Sequence, residues 1–341
     1  MNFPDFQIWR NHQLWANPGI LDCAETNLYR SLAALQPKPA GGAPGHAVHR
    51  CDLARAWLAR YEFSAGNSRH AMVSRGVRHA LSLILHDLAQ RGAMLWLPAD
   101  VYPAYFDLAR VAGLTSESFK TLPEPRFPSQ PYCGREEFML IANPWKPLGR
   151  YLTDQECDEL ENWLAGGTQR HLLMDCVYDL ATPFHATTRR LQRSGRAILL
   201  QSATKGWLWP KTFGVVLLGE DHLRFASSFT NDPPSQDQLL LGERFLSSEA
   251  DCPNRVAAAL QARAEKLVGS LPDAVRASLL IDPDNRANGG YFFPAAISAE
   301  ELLSQHHLLA VPASAFGGEW HGSILTSLAT PFAPANQGGG L

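Results

Sequence analysis

The sequence predicts an α/β fold with a large domain on a mainly parallel sheet and a smaller α+β domain at its carboxyl end. Three observations predict it. Short runs of apolar residues, too uniformly hydrophobic to face water on one side, recur up to about residue 232, as strands buried on both faces do. Helical patterns separate these runs, the order expected of strand–helix–strand units. With 341 residues, 45% hydrophobic and 18% charged, the chain suits one large core with a companion.

The elements follow in order. Val77, Ala80, Leu81, Ile84, Leu85 and Leu88 keep one helical stripe and predict a helix over 76–90. A strand is expected at 93–97, a helix at 102–112, and a buried strand at 138–142 that enters the turn-rich segment Asn143-Pro144-Trp145-Lys146-Pro147-Leu148-Gly149. Thr153 and Glu156 form a capping box for the next helix, which Gly166-Gly167 ends. Further strands are expected at 171–176, 197–201 and 213–218. Beyond 232 come a helix over 255–268, an extended piece at 291–297, a helix opening Ser298-Ala299-Glu300-Glu301, and strands at 308–312 and 323–328. The segment 37–45 reads as a loop, and no internal repeat appears.

Composition excludes several function classes. With 30 basic and 33 acidic residues, a net charge of −3 and no Lys/Arg tract, there is no electrostatic footprint for nucleic acid. No apolar stretch has the length of a membrane span, and residues 1–15 mix polar with aromatic side chains, unlike a secretory leader. The six cysteines show no C-x-x-C spacing and read as reduced thiols. The expectation is a cytoplasmic protein with a small-molecule partner. No metal site is expected, because the adjacent His306 and His307 point in different directions on a helix.

Four features carry chemistry, three of them at the carboxyl ends of expected strands, where ligands bind in open α/β sheets. Gly76 opens a helix; it either simply starts that helix or lets an anion approach its free N–H groups. Asn143 follows a buried strand, as part of an ordinary turn or as an amide aimed at a ligand oxygen. Asp175 ends the run Leu172-Leu173-Met174, with Tyr178 three residues on. A carboxylate there needs a partner, and a protonated ring nitrogen is one; capping the next turn is the alternative. Lys205 lies in Ser202-Ala203-Thr204-Lys205, just beyond the run 197–201, where desolvation can lower an amine's pKa and make it a nucleophile. Trp207-Leu208-Trp209 reads as lining a pocket or packing between domains.

Taken together, Gly76, Tyr102, Asn143-Pro144-x-x-Pro147-x-Gly149, Asp175-x-x-Tyr178 and Ser202-x-x-Lys205 resemble the fold-type I pyridoxal 5'-phosphate (PLP) enzymes of the class I/II aminotransferase superfamily. The resemblance implies a PLP cofactor, Lys205 as its Schiff-base lysine, Asp175 on the ring nitrogen, and Asn143 and Tyr178 on the ring hydroxyl. It implies Tyr102 stacked on the ring, with Gly76, Val77, Arg78, Ser202 and Thr204 around the phosphate. It further implies an amino-acid substrate, with Asn27 as a contact, and a homodimer. The domains would be 1–45, an N-terminal segment joining the small domain and covering the site, 46–232, the PLP-binding domain, and 233–341, the small domain. The opening residues are also similar to those of capreomycidine-synthase-like enzymes.

Some positions depart from that pattern. Leu325 in Leu325-Thr326-Ser327-Leu328-Ala329 stands where the superfamily usually has a carboxylate-binding arginine, and an aliphatic chain cannot replace a bidentate guanidinium. Lys211 stands in for a phosphate-binding arginine. Transamination is the reaction expected. The alternatives are elimination with cyclisation on an amino-acid side chain, and a PLP-fold binding module without catalysis.

Overall fold

The computed structural model describes the chain except for residues 38–46, 64–69, 102, 130–133, 181, 211–212, 249–251, 283–288 and 332–341. Helix α1 (Phe3–Ala16) is capped by the Asn2 side chain and leads to the short strand β1 (Leu21–Asp22). Its pattern is weakly amphipathic, and Phe6, Arg10 and Leu14 form its buried side. Then come α2 (Leu28–Ser31) and α3 (Arg50–Arg60).

The large sheet follows. Its strands are β2 (Ala71–Ser74), β3 (Met94–Pro98), β4 (Thr115–Phe119), β5 (Glu137–Ala142), β6 (Arg170–Asp175), β7 (Ala197–Ser202) and β8 (Gly214–Leu217), in the order β2-β8-β7-β6-β5-β3-β4. Strands β3 to β7 pair in parallel, and β8 runs antiparallel to both neighbours. The all-apolar runs are explained by burial on both faces. Met139, Ile141, Leu172, Met174 and Leu199 join one core, while Phe138, Leu140, Leu173, Ile198 and Leu200 join the other, as alternating side chains require.

Helix α4 (Val77–Gln90) follows β2 and buries the stripe Ala80, Leu81, Ile84, Leu85 and Leu88. Helices α5 (Ala104–Ala112), α6 (Asp154–Ala165), α7 (Ala186–Gln192) and the single turn α8 (Ala203–Gly206) complete the layers near the site. The capping box is present: Glu156 N–H donates to Thr153 Oγ1 at 3.1 Å and Thr153 N–H to Glu156 Oε2 at 2.8 Å.

Past α9 (Ala226–Asn231), α10 (Gln236–Ser248), α11 (Cys252–Ser270) and α12 (Asp273–Ala277), the chain forms β9 (Phe292–Ala295), α13 (Ala299–His306), β10 (Leu308–Leu309), β11 (Val311–Pro312), β12 (Ser323–Thr326) and β13 (Thr330–Pro331). The single strand expected at 308–312 divides. β10 pairs with β1, whereas β11 pairs with β12 in the sheet β11-β12-β9. The N-terminal strand thus lies between two C-terminal ones, β10 and β13. Buried Arg10 bonds Asp22 and Glu25, and Thr326 Oγ1 donates to the Glu25 carbonyl at 2.7 Å. Residues 21–26 are therefore tied to the C-terminal strands.

Candidate active site

Because β5, β6 and β7 are parallel, Ala142, Asp175 and Ser202 finish at one edge of the sheet. The antiparallel β8 begins there, with Gly214 opposite both Ser202 and Ser74. These ends meet the start of α4. Gly76 caps that helix with φ +111°, a conformation that favours glycine. A Cβ on Gly214 would stand 2.9 Å from Gly76 Cα and 2.7 Å from the Gln201 carbonyl oxygen, so two glycines let the backbones approach. Ser202 Oγ and Thr204 Oγ1 lie 2.6 Å apart, and Ser202 caps α8. Hydroxyls beside a helix N-terminus suit an anion. Val77 is half-buried and Arg78 exposed at the start of α4. Tyr102 and Lys211 lie outside the described residues.

Asp175 is buried, and its Oδ1 accepts from Val177 N–H at 3.0 Å. Its Oδ2 accepts from the Tyr105 hydroxyl and, at 2.8 Å, from Lys146 Nζ. No sequence pattern marks either Tyr105 or Lys146 as a site residue. Lys146 Nζ also lies 5.1 Å from the Tyr178 ring centroid. Lys205 Nζ lies 5.3 Å from the same centroid and 5.2 Å from that of Tyr29. Tyr178 stacks on Tyr291, with centroids 5.0 Å apart. Burial, with Lys146 and Arg78 adding to it and Asp175 opposing it, pulls the Lys205 amine down from 10.5 to about 8. Burial likewise pushes the Tyr178 phenol well up and that of Tyr29 up to about 12. A low-polarity pocket holding a readily neutralised amine beside a buried carboxylate can support carbonyl chemistry.

The structure corrects the reading of Asn143. Its Nδ2 donates to Thr187 Oγ1 at 3.0 Å and Thr188 Oγ1 at 2.8 Å, and its Oδ1 accepts from Leu152 N–H at 3.0 Å. Both donors are committed to bracing the loop, and none remains for a ring hydroxyl. From the same loop it is Lys146 that reaches the site. Asn27 is exposed and caps α2, accepting from Arg30 N–H at 3.1 Å; its helix instead presents Tyr29 to Lys205. Leu325 is fully buried in β12 opposite Phe293. Trp207 is buried as well, donating from Nε1 to the Phe245 carbonyl at 3.2 Å, which makes it a packing residue against α10.

The arrangement tests well against a phosphorylated aldehyde cofactor. The glycine approach and the two hydroxyls offer a phosphate cradle, Lys205 an amine, and Asp175 an acceptor for a ring N–H, which it would share with Lys146.

The chain has the fold-type I aminotransferase fold. Solved structures place it there. The Escherichia coli protein YbdL, for which a methionine aminotransferase function was identified, superposes with a TM-score of 0.70 at 16% identity, covering 96% of this chain and 92% of that one. A probable N-succinyldiaminopimelate aminotransferase of Thermus thermophilus gives a TM-score of 0.70 at 19% identity over 97% and 96%. Substrate-bound BacF of Bacillus subtilis gives 0.67 at 13% over 91% and 86%. No protein-family model and no curated protein sequence matches the chain.

Proposed function

We propose that this protein is a PLP-dependent enzyme acting on the amino group of an amino acid, most simply as an aminotransferase. The observation that carries the reading is the placement of Lys205, an amine depressed to about 8 under the opposing charges of Lys146 and Asp175, 5.3 Å from the Tyr178 ring centroid and three residues beyond the strand end where Ser202 faces Gly214. PLP, when bound, supplies an aldehyde that captures amines and a ring that spreads the electron pair left at a neighbouring carbon. Gly76, Ser202 and Thr204 would hold the phosphate, with the start of α4 and Arg78 adding positive charge. Asp175 would hold the proton on the ring nitrogen. Lys205 would be the amine that holds the cofactor's aldehyde and, when free, a base placed to move a proton at the substrate Cα. The working form in this reading is a homodimer, tested by light scattering.

Leu325 supports a second reading. With a buried leucine opposite Phe293 and no guanidinium at that position, the substrate carboxylate is held differently, which fits elimination or cyclisation on an amino-acid side chain. Incubation with a panel of amino acids and mass spectrometry separates the two. Exchange of amino for keto groups, together with accumulation of the cofactor's amine form, supports transamination. Loss of a side-chain group with the cofactor unchanged supports the second reading. Absence of PLP uptake overturns both.

A further inference from the structure

Lys146 lies midway along the turn-rich segment 143–149 that follows β5. Its ammonium is anchored at 2.8 Å by Asp175 Oδ2, with the Tyr105 hydroxyl at 3.4 Å. Its side chain is 17% exposed and that of Asp175 4%, so the pair is held where water screens little. Lys146 Nζ and Lys205 Nζ approach the same Tyr178 ring at 5.1 and 5.3 Å. Tyr291 stacks on that ring, and Tyr29 faces Lys205 from α2 at 5.2 Å.

We propose that Lys146 is a positioning residue for Lys205: fixed by Asp175 and Tyr105, its positive charge opposes protonation of the neighbouring amine and enlarges the neutral, nucleophilic fraction of Lys205. The charges acting on Lys205 divide clearly. Lys146 and Arg78 disfavour its protonation, Asp175 favours it, and the Tyr178 and Tyr29 phenols stay neutral because burial pushes both up. Without Lys146, Asp175 would be an unneutralised carboxylate facing Lys205 and would hold a proton on it. The Lys146–Asp175 pair therefore cancels a charge that would otherwise disable the amine. This deepens the proposed function by saying how its lysine is made reactive.

The test is competitive labelling of the full chain, freed of bound carbonyl compounds with hydroxylamine and dialysed. Trace dinitrofluorobenzene is used across pH 6 to 11, and the Lys205 peptide is quantified by mass spectrometry. Lys205 should titrate well below the ordinary lysine range in the wild type and in Lys146→Arg, and higher by about one pH unit or more in Lys146→Met. Lys146→Gln, which keeps a donor for Asp175, gives the same upward shift and serves where the methionine variant does not fold. Equal titration in the wild type and the neutral variants, or ordinary titration in the wild type, overturns the inference. PLP uptake is read separately on the same proteins. A Lys146-dependent titration in a protein that takes up no PLP keeps this inference and refutes the cofactor reading, while uptake with Lys146-independent titration does the reverse.

Discussion

Lys205→Met perturbs the one group whose depressed pKa the proposed chemistry needs, and the structure gives the size of the effect. Lysine titrates ordinarily at 10.5, and in the fold Lys205 falls to about 8, with burial the main cause. Below pH 8 the folded and unfolded chains both carry its proton, and the fold bears the whole cost of holding a charged amine in a partly buried site. Between 8 and 10.5 the unfolded chain holds more protons, so stability rises with pH and the cost disappears. At 1.36 kcal/mol per unit the cost is about 3 kcal/mol. Methionine has similar length and no charge. Lys205→Met should thus gain up to about 3 kcal/mol over the wild type at pH 7, with the gain shrinking towards zero near pH 10.5. Urea unfolding of both cofactor-free proteins at several pH values measures it. A variant no more stable than the wild type at pH 7, or a gain that ignores pH, would refute the reasoning.

Three other substitutions probe the frame around the site. Arg10→Met leaves buried Asp22 without its cation and Glu25 with only the exposed Arg30 at 4.0 Å and should cost about 3–5 kcal/mol in thermal unfolding; a loss below about 1 kcal/mol would contradict the ion pairs. Gly149→Ala places a Cβ over the Phe292 carbonyl at a φ of +81° and should lower stability by roughly 2–4 kcal/mol, read from the denaturation midpoint. Gly214→Ala intrudes to 2.9 Å of Gly76 Cα and should weaken PLP binding by about tenfold or more, a change of about 1.4 kcal/mol. Fluorescence titration should show a much smaller effect on unphosphorylated pyridoxal, and equal effects on both would place the phosphate elsewhere.

Much of this architecture is legible in the sequence, because strands buried on both faces leave unbroken apolar runs and the Thr153–Glu156 capping box is local. Strand β4 escapes notice: it is the sheet edge, and four of its five residues are exposed, so it shows no apolar run. Helix α1 is equally obscure, since part of its buried side is Arg10, whose partners lie beyond the helix at 22 and 25. The site divides along the same line. Asp175 and Lys205 stand at strand ends and are visible from position alone. Asn143 and Lys146 share one turn, and which of them faces the site depends on Thr187, Thr188 and Asp175, which lie 29 to 45 residues along the chain from their partners. No local spacing encodes that choice.

The central claim is that Lys205 is the amine that captures PLP, and the visible absorption spectrum of the purified protein mixed with PLP, for wild type and Lys205→Ala, tests it most directly. The account predicts that the wild type acquires the absorption band of a lysine-bound cofactor, abolished by borohydride only through labelling of Lys205, and that the variant does not. A wild type that never gains the band, or a variant that gains it equally, would contradict the account.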